Sequence, residues 1–136
     1  MSTLVDTSVW SLMLRRGGPA DHWAARRLVR LIEERHPVSI TGVVLQELLA
    51  YFRDDATAAT VARKLAPFPL LEPTREEHER AAALFRKARA HGVAATTIDC
   101  LVAQLAVSRR AELLTTDGDF THLAPLIGGR LATPDA

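Results

Sequence analysis

Five carboxylates stand at positions where they could do chemistry: Asp6, Glu47, Asp99, Asp117 and Asp119. Asp6 closes the apolar run Leu4-Val5 and is followed by two hydroxyl residues, Thr7 and Ser8. Asp117 follows Leu113-Leu114-Thr115 in a similar way, and Asp119 lies two residues further on. Asp99 falls in the first turn of an otherwise apolar helical stretch, between Ile98 and Cys100-Leu101-Val102. Glu47 lies mid-helix, too far in to cap, with Val43, Val44 and Tyr51 as helical neighbours. Taken singly, each acid has an ordinary explanation. Asp6 suits a helix N-cap, Thr96-x-x-Asp99 and Thr116-x-x-Asp119 fit capping boxes, Asp117-Gly118 is turn chemistry, and Glu47 fits a solvated helix face.

Taken together they describe something else. Carboxylates crowded at one place repel one another unless they take up protons or share a cation. Oxygen ligands of this kind suit Mg²⁺, with Mn²⁺ as a possible substitute. Such a site can orient and deprotonate a water and neutralise charge on a phosphodiester during in-line attack. Thr7, Ser8 and Thr115 are placed to hold the carboxylates by hydrogen bonds.

The elements that must position these residues follow from pattern and punctuation. Leu4-Val5 starts a buried strand, and Thr7 opens a helix that runs to about Arg15 and stops at Gly17-Gly18-Pro19. Asp21 is expected to cap a second helix with apolar positions Trp23, Ala24, Leu28, Leu31 and Ile32, and with Arg26, Arg27 and Arg30 on its other side. Pro37–Ile40 reads as a strand. Thr41 opens a third helix through Phe52, with Leu45, Leu48, Leu49 and Phe52 at i, i+3, i+4 and i+7. Asp54-Asp55 begin an alanine-rich fourth helix. The prolines around Leu70-Leu71-Glu72 confine that strand to a sheet edge. Thr74-Arg75-Glu76-Glu77 is a capping box for a long helix to about His91, with Gly92 beyond it. Thr96 or Thr97 caps the next helix, which runs to Arg110. Glu112–Thr115 is a further strand, a short helix follows Asp119, and Arg130–Ala132 could form a last strand. Short strands alternating with helices give an α/β fold, a parallel sheet with helices on both faces, and residues 1–136 read as a single domain. In such sheets ligands collect beyond the carboxyl ends of the strands, where Asp6 and Asp117 both fall.

Composition narrows the class. The formal net charge is +1, and hydrophobic residues make up 48% of the chain. One cysteine, Cys100, excludes an internal disulfide and a cysteine-based zinc cluster. There is no basic segment followed by a long apolar core at the start and no apolar run near the roughly 20 residues that span a bilayer, so a cytoplasmic location without membrane association is expected. Setting the five acids aside leaves 17 basic side chains against the remaining 11 acids, a balance mildly favourable to a polyanion.

In their order and spacing, four segments resemble those of VapC-type PIN-domain toxins, the ribonuclease half of toxin–antitoxin pairs. They are Val5-Asp6-Thr7-Ser8-Val9-Trp10, Thr41-Gly42-Val43-Val44-Leu45-Gln46-Glu47-Leu48-Leu49, Thr97-Ile98-Asp99-Cys100-Leu101-Val102-Ala103 and Leu113-Leu114-Thr115-Thr116-Asp117-Gly118-Asp119-Phe120. The resemblance implies a three-layer α/β/α PIN fold with a short central parallel sheet. It implies that Asp6, Glu47, Asp99 and Asp117 form the acidic set, Asp6, Asp99 and Asp117 as metal ligands and Asp119 as an accessory acid. It further implies Mg²⁺-dependent endonucleolytic hydrolysis of RNA, a homodimer, and a cognate VapB-type antitoxin. The other class consistent with these residues is a catalytically quiet PIN-like module that binds RNA or protein.

Other motifs argue against competing chemistries. A phosphatase of the haloacid-dehalogenase type wants a second Asp two residues after the first, where Ser8 stands, and neither Lys64 nor Lys87 is placed for a receiver domain. No Gly-Lys-Ser/Thr exists for a P-loop. His22, His36, His78, His91 and His122 show no metal-ligand pairing and suit surface or capping roles. Cys100 suits an inert packed thiol, and Trp10 and Trp23 suit packing. Arg15, Arg16, Arg26, Arg27 and Arg30 could meet phosphates or form a solvated face.

Overall fold

Three- and four-residue apolar segments cannot bury themselves alone, and here they do so as a parallel sheet sealed by helices. In the computed structural model, which describes residues 2–14 and 21–135, the strands are β1 (Thr3–Val5), β2 (Val38–Thr41), β3 (Leu70–Leu71) and β4 (Glu112–Leu114). The helices are α1 (Thr7–Met13), α2 (Trp23–Glu33), α3 (Gly42–Ala50), α4 (Asp55–Leu65), α5 (Arg75–Ala90), α6 (Thr97–Ser108) and α7 (Asp119–Ile127). All pairings are parallel and the strand order is β3-β2-β1-β4, with β3 at an edge as its flanking prolines require.

This order places the site. The chain winds outward from β1 through β2 to β3, then returns to lay β4 on the other side of β1. Right-handed crossovers put the helices of the two windings on opposite faces. Accordingly α1 packs on α2 and α3, and α3 on α4, while α5, α6 and α7 pack on one another. The reversal falls between β1 and β4, and that is where parallel α/β sheets bind ligands. Leu4 pairs with Ser39 and Leu113, so the next rows set Asp6 between Thr41 and Thr115.

The core fills both faces of the sheet with Leu4, Val5, Ile40, Leu113 and Leu114, packed under Val9, Trp10, Leu28, Val44, Leu105, Phe120 and Leu123. Trp10 is a core residue: its ring meets Phe68 edge-on at 5.0 Å and its indole N–H donates to the Val5 carbonyl at 3.2 Å. Cys100 is fully buried, and burial next to Asp99 pushes its thiol pKa up, as an inert thiol requires. Among the described residues no helix is long and apolar enough to cross a membrane.

Several local expectations are corrected. The N-cap of α2 is His22, whose Nδ1 accepts from Ala24 N–H at 3.1 Å, while Asp21 turns out to pair with Arg26. The segment Arg130–Ala132 makes only an isolated parallel bridge, Leu131 with Leu113. The N-cap of α7 is Gly118 and no Thr116 capping box forms, because Thr116 N–H is spent on Ser8 Oγ. The expected Gly17-Gly18-Pro19 stop and the Arg15-Arg16 pair lie outside the described residues.

One ion pair locks the second winding. Glu77, 6% exposed, receives both Arg109 Nε and Nη2 at 3.0 and 2.9 Å, joining the start of α5 to the end of α6. Glu77 also accepts from Thr74 N–H in the capping box of α5. The bidentate Arg109 contact holds the Glu77 carboxyl down at about 2, below its ordinary 4.5. A depressed acid contributes stability that is complete above its unfolded pKa and is lost as pH falls toward the folded one, here between about 4.5 and 2. That shift is worth on the order of 3 kcal/mol. Glu77→Gln should therefore cost about 2–3 kcal/mol at neutral pH in urea unfolding and flatten the acid limb; an unchanged acid limb refutes the assignment. Thr41 Oγ1 is buried and has no hydrogen-bond partner among the described residues. Thr41→Val should raise the urea midpoint by about 1 kcal/mol in stability without changing the slope, and a fall in stability would show that the hydroxyl is satisfied.

Candidate active site

The first residue of the site is held by its neighbours' hydroxyls. Asp6 occupies the N-cap position of α1 in extended conformation, yet its side chain makes no capping bond. Its Oδ2 instead accepts from Ser8 Oγ at 3.0 Å and from Thr115 Oγ1 at 2.9 Å. Each hydroxyl is itself fixed by a backbone donor: Thr116 N–H reaches Ser8 Oγ at 3.0 Å, and Asp117 N–H reaches Thr115 Oγ1 at 3.0 Å. Asp6 is 8% exposed, and among the described residues no donor reaches its Oδ1.

The loop after β4 contributes the next two acids. Asp117 Oδ1 accepts from Asp119 N–H at 2.9 Å, an Asx turn that starts α7. Asp99 comes from α6, where Thr96 Oγ1 accepts from Asp99 N–H at 3.0 Å and Asp99 Oδ2 accepts from Thr96 N–H at 3.3 Å. The expected capping box is present there. One carboxylate oxygen from each of Asp99, Asp117 and Asp119 lies within 4.8 Å of the others. Oxygens on opposite sides of a hard cation stand about 4–5 Å apart, so this donor set fits Mg²⁺ or Mn²⁺.

Glu47 is exposed on α3 and accepts a long hydrogen bond from Thr7 Oγ1 at 3.4 Å. Its pKa is raised, first by desolvation and then by the charges of Asp6 and Asp99, against the Thr7 bond that lowers it. The Asp99 pKa is raised by burial, with Asp117 and Asp6 adding to the shift against the Thr96 bonds. These mutual influences put Asp6, Glu47, Asp99 and Asp117 in one electrostatic field, with Asp119 beside them. The structure brings Asp99, Asp117 and Asp119 into the tight cluster, while Asp6 and Glu47 stand around it.

Two features of the site had weaker sequence signals. The Trp10 indole bond to Val5 fixes the carbonyl just before Asp6, and only the spacing from Asp6 to Trp10 hints at it. The orphan hydroxyl of Thr41, one strand over from Asp6, had no signal in sequence. Of the other candidates, Arg26, Arg27 and Arg30 are paired to acids of this chain and not to the site's carboxylates.

The chain as a whole is similar to known proteins. The PIN domain model matches residues 3–126. Ribonuclease VapC11 of Mycobacterium tuberculosis is 34% identical over 123 residues, covering 89% of this chain and 90% of that protein, and a VapC ribonuclease of Mycobacterium bovis matches equally. Among solved structures, VapBC2 from Rickettsia felis bound to promoter DNA superposes with a TM-score of 0.79 at 16% identity, covering 99% of this chain and 100% of that one. FitAcB from Neisseria gonorrhoeae gives 0.74 at 21%, covering 97% of each chain. VapC20 of M. tuberculosis, a sarcin-ricin loop cleaving toxin, gives 0.71 at 22%, covering 98% of this chain and 100% of that one. The structural likenesses carry the fold, the three-layer α/β/α arrangement with a parallel sheet. The family model and the sequence relatives, spanning nearly the whole chain, carry the conclusion that it belongs to the PIN-domain family, among the VapC ribonucleases.

Proposed function

We propose that this chain is a Mg²⁺-dependent endoribonuclease, the toxin of a toxin–antitoxin pair, working as a homodimer controlled by a small VapB-type antitoxin. The observation that carries the reading is the carboxylate cluster at the switch point: Asp99, Asp117 and Asp119 within 4.8 Å, beside an Asp6 whose Oδ2 is held by Ser8 and Thr115. The relatives named as VapC ribonucleases, and the neighbours solved as VapBC and FitAB assemblies, support the substrate class and the partner.

Asp99, Asp117 and Asp119, whose oxygens converge, would hold the cation, Asp6 would reach it from beside that cluster, and Glu47 stands at the margin. When bound, a hard divalent cation supplies charge neutralisation at the scissile phosphate and makes a water more acidic. The chain's own residues do the rest. Ser8 and Thr115 occupy Oδ2 of Asp6 and so aim Oδ1 outward. Thr96 and the Asp119 amide fix one oxygen each of Asp99 and Asp117 in the same manner. Glu47, which stands outside the cation's holders and whose pKa is raised chiefly by desolvation, is the acid in this set readiest to take a proton from an attacking water.

Purified protein should cleave RNA with Mg²⁺ or Mn²⁺ and lose that activity in EDTA. Asp99→Asn, which keeps the capping acceptor, should lower cleavage at least about 100-fold while the protein stays folded by circular dichroism. Metal-dependent cleavage that survives Asp6→Ala and Asp99→Asn together would sink the reading. Replacing both holders, Ser8→Ala with Thr115→Val, should weaken metal affinity about 10–100-fold by calorimetry. Wild-type affinity in that double variant would mean that the hydroxyls do not orient Asp6.

A further inference from the structure

On α2 the side chains of Trp23, Arg26, Arg27 and Arg30 fall at i, i+3, i+4 and i+7, one flank of the helix. With Pro134 and Asp135 they line a cleft of about 400 Å³. Arg27 is the anchored member: its side chain is 14% exposed, its guanidinium lies over the Trp23 ring at 5.7 Å, and it donates to Thr133 O at 2.7 Å. Arg27 and Arg30 then grip the two oxygens of one carboxylate, Arg27 to Asp135 Oδ1 at 3.0 Å and Arg30 to Oδ2 at 3.1 Å. Two guanidinium groups each taking one oxygen of an anion is the contact that a phosphate diester also accepts.

The present occupant is lightly held. Asp135 is 69% exposed, and ion pairs at such a surface contribute little. Arg26 also lines the cleft, and its own partner, Asp21, is almost fully exposed. The direction of the tail matters too. Leu131 bridges Leu113 in parallel and Ala132 N–H donates to Leu113 O, so the tail leaves the sheet toward the carboxyl ends of the strands. The acidic cluster lies at that same end. A cluster of carboxylates repels nucleic acid, and a group of guanidiniums at the same end of the sheet supplies the attraction it lacks.

We propose that the Trp23–Arg26–Arg27–Arg30 cleft is a phosphate subsite for single-stranded RNA, occupied in the free protein by Asp135, which gives way when the strand arrives. The assignment rests on the ribonuclease reading for its substrate class. Three cations spaced along one helix flank suit a phosphate backbone, and Trp23, packed against the core, carries the Arg27 guanidinium over its ring and so fixes the central cation.

The test uses the full chain in an Asp99→Asn background, which stops hydrolysis, with anisotropy of a labelled single-stranded RNA oligonucleotide across a salt series. Arg27→Ala with Arg30→Ala should weaken binding about tenfold or more and lower the salt slope by about 0.7, the share of the one phosphate that the two guanidiniums hold. Asp135→Asn should tighten binding. Because Arg27 is partly buried, Arg26→Ala with Arg30→Ala, both at exposed positions, repeats the measurement without disturbing packing. Unchanged affinity and slope in both double variants, or weaker binding by Asp135→Asn, overturns the subsite. Polyglutamate that displaces the RNA as well as unlabelled RNA of equal charge also overturns it, in favour of an acidic peptide. The ribonuclease reading is separable: if wild-type protein cleaves RNA while the arginine variants bind normally, only the subsite fails. If binding responds as expected but no cleavage occurs with metal, only the ribonuclease reading fails.

Discussion

Asp6 Oδ2, shared between the hydroxyls of Ser8 and Thr115, is the contact on which the rest of the molecule turns. It joins residues 109 positions apart and does so at the one gap in the sheet where the winding reverses. Each hydroxyl has a single proton, which goes to the carboxylate, so each is left as an acceptor for a loop amide. Thr116 and Asp117 supply those amides. The run of amide, hydroxyl and carboxylate polarises in one direction, and that is the condition under which linked hydrogen bonds reinforce one another. Through it, the end of β1 dictates the path of the loop after β4, and hence where Asp117 and Asp119 stand. Trp10 completes the anchor from behind by tying its indole to the carbonyl of Val5.

Such a site is stabilised poorly on its own. Burial and like charge raise the pKa values of Asp99 and Glu47, which means that the ionised site works against folding. The compensation lies at the other end of the same helix. Asp99 begins α6 and Arg109 caps it, and Arg109 is clamped on Glu77 with a further bond to Glu72 O. One helix thus carries a destabilising carboxylate at its start and a half-buried, bidentate ion pair at its finish. The two ends are about 15–18 Å apart at the rise of an α-helix, too far for direct coupling through water at physiological salt. The pair therefore supports the site mechanically, by holding α6 in place, and not by opposing its charge.

Much of this was legible in the sequence because it is written in local rules. The capping boxes at Thr74 and Thr96, the Asp54 cap, the proline-confined edge strand and the core role of Trp10 each follow from residues within a few positions of one another. The hydroxyls of Ser8 and Thr115 were also readable as holders of carboxylates. What escaped depended on competition between partners distant in sequence. Asp21 is the better cap in isolation, but Arg26 claims its carboxylate and leaves the cap to the His22 imidazole. Thr116 has the spacing of a capping box, but Ser8, 108 residues away, takes its amide. Helices α2 and α6 end at Arg35 and Arg110 with φ of 58° and 53°, a left-handed turn usually marked by glycine. Backbone bonds from His36 to Leu31 and from Ala111 to Ala106 close those turns, so the demand for a strand next overrides the side chain's preference.

The alternative posed for these acids, helix cap or ligand, dissolves once the two oxygens of a carboxylate are counted separately. An ionised carboxylate offers about four acceptor sites, and a single cap or turn uses one. Asp99 gives Oδ2 to Thr96 in a capping box, and Asp117 gives Oδ1 to the amide of Asp119. Asp6, in the N-cap position, gives Oδ2 to two hydroxyls in place of the helix. In all three, one oxygen is tied to the fold, and among the described residues no hydrogen bond claims the other. Tying one oxygen removes the rotational freedom that a surface aspartate would lose on taking up a ligand, so the ordering cost falls on folding and not on binding. Capping geometry at these positions is therefore part of how the acidic cluster is pre-organised, and a sequence that scores well for caps at the carboxyl ends of adjacent parallel strands is the pattern such a cluster should leave.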